Sequence, residues 1–208
     1  MRVFADKYLD ILKGPFKDIN LTRISSSEEF YEKQILDSVL PAEIFLVFRE
    51  SILNGLHIDV GFGGGFPLVP LAYKFQNVKF LGLEARRKKA VAVKEISNLL
   101  ELKNVYTHHL KIEDLCIDTP CSITFKAVGK ITDFLGLINA IPGTRVFFYK
   151  GPNLAKLEDV PEKYKGFSCI LHEDYKLQGT QGRSFVAYEF EGVPRRTKKS
   201  LVRLSQLI

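Results

Sequence analysis

The rhythm of apolar and polar positions changes near residue 56. Before that point hydrophobic residues recur at helical spacing. In "SSSEEFYEKQILDSVL" (25–40), Phe30, Ile35, Leu36 and Val39 mark one helix face. The serines, followed three positions on by Glu28 and Glu29, form a capping-box signature. A further short helix is predicted over Ala42 to Leu53, closed by Asn54-Gly55. From His57 onward short apolar runs ("HIDVG", "VKFLGLE", "NVYTHH", "CSITFKAV", "TRVFFYK") alternate with helical segments such as "RRKKAVAVKEISNLLEL". Continuous apolar strands separated by helices predict a parallel sheet covered on both faces. The end of the chain differs: "FSCILHEDYKL" and "SFVAYEFEG", joined by the glycine-rich "QGTQGR", predict an antiparallel hairpin closing that sheet. The expected fold is α/β, a Rossmann-like doubly wound sheet with a terminal antiparallel hairpin and an N-terminal helical cap. The expected division is 1–55 for the cap, 56–193 for the core and 194–208 for a basic C-terminal tail, one domain overall.

Where the first strand ends, the pattern is broken by "DVGFGGGFP", with four glycines in five positions. Glycine is entropically costly to order, so the cluster needs a cause. A tight strand-to-helix turn is one cause, but a turn seldom needs four. Ligands of open α/β sheets lie beyond the carboxyl ends of the strands, where bare backbone lets N–H groups approach them. The dinucleotide fingerprint requires glycine at 66, and Phe66 stands there, followed by Pro67 at the helix start. The spacing present is D-x-G-x-G-x-G, with Asp59, Gly61, Gly63 and Gly65. The second strand then ends on Glu84, a carboxylate placed to accept both hydroxyls of a ribose. An adenosine without a diphosphate, held by a glycine loop and an acid, points to S-adenosyl-L-methionine (SAM) as cofactor. The same features disfavour a nicotinamide dehydrogenase.

Charge adds a partner class. Lys plus Arg exceeds Asp plus Glu by 30 − 24 = 6 in 208 residues, compatible with a polyanion but not demanding one. The excess is clustered, in "ARRKK" (85–89) and in "PRRTKKSLVR" (194–203). Either cluster reads as a solvated surface alone; on one face they would track phosphates. The opening sixteen residues carry charges throughout and lack a signal-peptide core, and no stretch has the length of a membrane span. Cys116, Cys121 and Cys169 show no metal spacing and read as reduced thiols of a cytoplasmic protein. The four histidines lack ligand spacing, so no metal is expected.

Five segments carry a more specific resemblance. "NLTRI" (20–24), "ILDSV" (35–39), "IDVGFGGGFPLVPLA" (58–72), "KIED" (111–114) and "YKGPN" (149–153) resemble, in order, the RsmG (GidB) family, the bacterial 16S ribosomal RNA guanine-N7 methyltransferases. The resemblance implies a class I SAM-dependent methyltransferase. It implies that Gly61 and Phe66 line the methionine and sulfonium region, and that Ile112 and Glu113 lie along the adenine. Lys126 stands where the family has arginine, and Lys33-Gln34 where it has Arg-His; Ser25 follows Ile24 where arginine is frequent. Lysine keeps the charge of arginine but not its bidentate fork. The partner implied is 16S rRNA or the small ribosomal subunit; the sequence carries no signal of oligomeric state, and a monomer is the default expectation.

Guanine N7 has a free lone pair and no proton to remove, so no general base is assigned. Asp37 is the candidate carboxylate for positive charge arising on the purine; a helix-surface acid binding a cation is the alternative. Lys126 and Lys150, at strand ends, are candidates for guanine O6 or a phosphate. Phe62 or Phe66 would stack on a splayed base. Arg195, Arg196, Lys198 and Lys199 of the tail are candidate phosphate contacts. Two other readings remain open: a small-molecule methyltransferase using the same SAM site, and an rRNA-binding assembly protein that has lost catalysis.

Overall fold

Apolar residues at positions 4, 5, 8, 9 and 12 give α1 (Arg2–Lys13) one buried stripe. The computed structural model of the chain describes residues 1–177, 182–192 and 201–208. The N-cap half of the predicted capping box forms: Ser26 Oγ accepts from the Glu29 N–H at 3.5 Å and opens α2 (Ser27–Phe30), while the Glu29 carboxylate turns to Lys33. The helix widens into a π-helical stretch over Tyr31–Leu36 and returns to α geometry in α3 (Asp37–Ile44). The helix expected from Ala42 is therefore interrupted. Phe45 adopts an extended conformation and α4 (Leu46–Leu53) starts afresh. Tertiary packing explains the break, because the buried Phe45 ring stacks on Phe185 with centroids 5.1 Å apart.

The core alternates as expected through β1 (Leu56–Val60), α5 (Leu68–Lys74), β2 (Lys79–Leu83), α6 (Arg87–Leu99), β3 (Val105–His108) and the short β4 (Leu115–Cys116). It continues with β5 (Ser122–Lys126), α7 (Ile131–Leu135), β6 (Arg145–Lys150) and α8 (Leu154–Leu157). Then come β7 (Lys163–Tyr164), β8 (Phe167–Tyr175) and β9 (Arg183–Phe190). Among the described residues these build an eight-stranded sheet in the order β3-β2-β1-β5-β6-β9-β8-β7. The first five strands in that order run parallel, and the last three are antiparallel. The doubly wound sheet and its terminal hairpin are thus both present. No helix among the described residues is long and apolar enough to cross a membrane.

Strand alternation divides the interior into two layers. Phe80, Phe147, Tyr149 and Phe185 face the cap with α1, α5 and α6, while Ile58, Ile123, Phe148 and Val186 face the opposite layer with α7. One segment departs from the expected tail. Residues 201–208 return to the core: β10 (Val202–Arg203) pairs with β4, Leu204 is fully buried, and Asp118 accepts from the Ser205 N–H and hydroxyl. The reason is Leu204, whose apolar side chain is buried with the second layer. Arg195, Arg196, Lys198 and Lys199 lie outside the described residues.

Candidate functional site

The glycine loop sits at the carboxyl ends of β1 and β2, and its glycines divide into two pairs. Gly61 and Gly63 hold positive φ (73° and 55°), and a Cβ built on either meets nothing closer than 3.7 Å. No neighbour requires either to be small; Gly61 is exposed and Gly63 half-buried. Gly64 and Gly65 face the protein itself. A Cβ on Gly64 would overlap the Leu21 carbonyl, and one on Gly65 the Tyr8 hydroxyl. The hydroxyl of Tyr8, fully buried, donates to Gly64 O at 2.5 Å. Half of the glycine cluster therefore exists so that the cap can pack on the loop. Gly65, expected at the cofactor, serves that purpose.

Asp59 and Glu84 hold the loop from two sides. Asp59 is fully buried; its Oδ2 accepts from the Leu68 N–H at the start of α5 (2.9 Å), and its Oδ1 from the Thr124 hydroxyl (3.0 Å). Burial pushes its carboxyl up to about 7. Beneath it, His57 contacts Ser122 Oγ and Thr124 Oγ1, and burial lowers its pKa to about 3, so the ring is neutral. Asp59 shapes the loop from inside rather than facing a ligand. Glu84 does reach the loop: Oε2 accepts from the Gly63 N–H at 3.0 Å and Oε1 from the Arg86 N–H at 2.9 Å. Each carboxylate oxygen has two lone pairs, so a further acceptor position remains on both.

Ile112 is buried at the start of a 3-10 turn, Ile112–Asp114, leading into β4. Asn139 fixes that turn by donating to Glu113 O and Leu115 O, and the Glu113 carboxylate lies 3.7 Å from Lys111 Nζ. Phe62 and Phe66 are both buried. Phe66 stacks on Tyr8 (5.3 Å) and meets Phe30 edge-on (5.6 Å), while Phe62 packs under Gly82. Their rings are engaged in the core, so neither offers the open face a base would need.

The two candidate lysines end on opposite faces. Lys126 pairs in register with Tyr149, on the cap side, and its Nζ lies 2.8 Å from Asp37 Oδ2. That ammonium is buried, and the Asp37 carboxylate balances its charge. Lys150, one residue beyond Tyr149, points the other way. It donates to Gly129 O (2.7 Å) and Glu158 (2.5 Å), and Glu158 in turn accepts from the Ile131 N–H (2.6 Å). Lys150 thus ties the loops after β5 and β6 together, with its charge satisfied internally. Asp37, nearly inaccessible, also accepts from Arg183 Nε at 3.0 Å. Sequence reading missed Arg183, although "RSFVAYEF" carries the signal: period-two alternation places Arg183 on the face of Phe185 and Ala187. The same sheet face supplies Tyr149, whose hydroxyl donates to Ser38 O at 2.8 Å.

The arrangement is a cradle of bare backbone and carboxylate on the core, roofed by a cap fixed through Tyr8, Asp37 and Ser38. Among the described residues no group of three His, Cys, Asp or Glu side chains gathers as a metal site would need.

Comparison with known proteins agrees with this geometry. The model of the GidB family, rRNA small subunit methyltransferase G, matches residues 3–183. "Ribosomal RNA small subunit methyltransferase G" of Pseudothermotoga lettingae is 32% identical over 209 residues, covering 94% of this chain and 88% of the relative. The protein of the same name from Solibacter usitatus is 35% identical over 152 residues, 72% of this chain and 70% of its own length. In fold, the chain is similar to a mutant of MtNAS in complex with S-adenosylmethionine, with TM-score 0.55, 12% identity and coverage of 92% and 73%. It is also similar to a SAM-dependent methyltransferase from Aquifex aeolicus, with TM-score 0.50, 20% identity and coverage of 74% and 92%. These solved structures speak to the fold, which is that of class I methyltransferases, and the two relatives speak to descent. This chain belongs to the GidB family, the rRNA small subunit methyltransferases G.

Proposed function

We propose that this chain transfers a methyl group from SAM to N7 of a guanine in 16S ribosomal RNA, in the cytoplasm. The observation that carries the reading is the pairing of Gly63 with Glu84: half-buried main chain with positive φ, and a carboxylate with acceptor capacity beside it, at the ends of adjacent parallel strands. Family membership supplies the RNA substrate.

The residues present fit SAM. Gly61 and Gly63 leave no side chain between a ligand and the backbone, and Glu84 is proposed to accept from ribose hydroxyls. Ile112 and Glu113, on a turn held by Asn139, are the residues proposed to flank the adenine. Bound SAM supplies an electrophilic methyl on a sulfonium. The remaining work belongs to the chain. Guanine N7 needs no base, so positioning and exclusion of water are what the protein must provide; well-oriented reactants can gain roughly 7–11 kcal/mol in this way. Lys126, at the carboxyl end of β5 and ion-paired with Asp37, is proposed to meet guanine O6 or an adjacent phosphate. Asp37 is a positioning residue in this reading, since both of its oxygens are engaged by Lys126 and Arg183.

The test is N7-methylguanine mapping by borohydride–aniline cleavage of 16S rRNA from cells with and without this chain. A cleavage site lost in the deletion strain and restored by the purified protein plus SAM is expected. Identical cleavage in both strains would refute the rRNA reading, and methyl transfer to small molecules alone would favour the small-molecule alternative.

A further inference from the structure

On the face of the cap turned toward Glu84, Asn20, Thr22, Arg23 and Gln34 share a cavity of about 580 Å³ with Arg86 and Lys89 of the core. Its charged lining is all cationic: Arg23, Arg86 and Lys89. None of the three side chains has a carboxylate partner among the described residues, whereas Arg2, Lys7 and Lys33 of the cap pair with Glu28, Glu101 and Glu29. Two elements distant in sequence thus bring unneutralised charge to one concave wall. Nothing in folding stability calls for this. Arg86, Arg87, Lys88 and Lys89 crowd the start of α6, whose first turn contains no acid, and the helix dipole disfavours cations there. A local rule broken without a structural compensation is where a ligand is to be sought.

The cavity also lies beside the cradle. Leu21 in its wall is the residue whose carbonyl packs on Gly64, and the backbone N–H of Arg86 holds Glu84. Resting on the rRNA reading above, we propose that this cavity binds a backbone phosphate of the RNA, near the nucleotide presented for methylation. Guanidinium and ammonium groups supply charge-assisted bonds to phosphate oxygens, and the polar side chains of Asn20, Thr22 and Gln34 can add neutral ones. A contact of this kind fixes the register of the RNA without reading its sequence.

The experiment compares the full-length wild-type chain with the triple variant Arg23→Gln, Arg86→Gln, Lys89→Gln, and with Lys163→Gln on the far edge strand. Affinity for 16S rRNA from cells lacking this chain is measured across a salt series, and SAM affinity by calorimetry. The triple variant is expected to bind RNA at least ten-fold more weakly at moderate salt. Its log–log salt slope should fall by roughly 0.7 for each phosphate that is no longer neutralised. SAM affinity should stay within two-fold, and Lys163→Gln should behave as wild type. Unchanged RNA affinity and slope would overturn the proposal. So would a loss confined to SAM affinity, or inorganic phosphate binding to the wild-type cavity as tightly as RNA does. A wild-type chain that binds RNA here yet leaves it unmethylated would instead refute the proposed function, so the two failures are distinguishable.

Discussion

Asp37 Oδ2 lies 2.8 Å from Lys126 Nζ, and this ion pair joins the cap to the carboxyl end of β5. Arg183 Nε completes a triad by donating to the other oxygen at 3.0 Å. A carboxylate so nearly excluded from water is tolerable only with such partners. Removing one member of a buried pair strands the other, which costs about 3–5 kcal/mol. Asp37→Ala is therefore expected to lower unfolding stability by about that amount in urea denaturation. Lys126→Arg, which keeps the charge, should lose far less. Equal stability of Asp37→Ala and wild type would show that the triad contributes nothing.

The division of the glycines gives a second expectation. Gly64→Ala places a methyl against the Leu21 backbone, which cannot swing aside, and should cost more than about 2 kcal/mol. Gly63→Ala meets no atom closer than 3.9 Å and is destabilised chiefly by its positive φ, by about 1–2 kcal/mol. Ligand binding should rank the other way, with SAM affinity in calorimetry falling further for Gly63→Ala. A common effect of both variants on SAM would remove the distinction between a cap-facing and a ligand-facing pair.

Glu84→Gln tests the acid of the cradle. Hydrogen bonds to a charged group contribute about 1.5–3 kcal/mol, so SAM affinity should fall roughly 10- to 150-fold. The fold should persist, because one amide oxygen can still accept from a loop N–H. SAM affinity unchanged in this variant would show that the carboxylate serves the loop alone.

His57 and Asp59 should oppose each other in acid. The pKa of His57 is depressed to about 3 by burial, so its share of stability is complete above its usual value of 6.5 and is lost as pH falls. That of Asp59 is raised from 3.8 to about 7, so its share is complete at low pH and is lost as pH rises through that interval. Between about pH 4 and 6.5 the two slopes, each about 1.4 kcal/mol per pH unit, nearly cancel. His57→Gln should make stability fall as pH rises across this window, and Asp59→Asn should make it rise. Chemical denaturation at three pH values in both variants reads the slopes, and parallel profiles would contradict this pairing.

The C-terminal residues offer a fifth test. Leu204 is fully buried against the second layer, so Leu204→Ala should cost about 2–5 kcal/mol. A merely solvated tail would tolerate the change.

Strand-length apolar runs and the breaks between them were enough to place the sheet, the hairpin and the glycine loop, since those depend on local periodicity. Glu84 was legible for the same reason, as the polar residue ending an apolar strand. The partners of the loop were not. Tyr8 and Leu21 reach Gly64 and Gly65 from forty or more positions away, and nothing local distinguishes a glycine kept small for a ligand from one kept small for a helix. Lys126 and Lys150 looked alike as strand-end cations until register placed them on opposite faces. Leu204 was obscured by the charge around it in "KKSLVRLSQ".

A crystal structure with S-adenosylhomocysteine bound tests the central claim most directly. Its ribose hydroxyls are expected on the Glu84 carboxylate, with its sulfur against the main chain of Gly61 and Gly63. A nucleoside lodged at another strand end, with Glu84 still bonded only to Gly63 and Arg86, would contradict that claim.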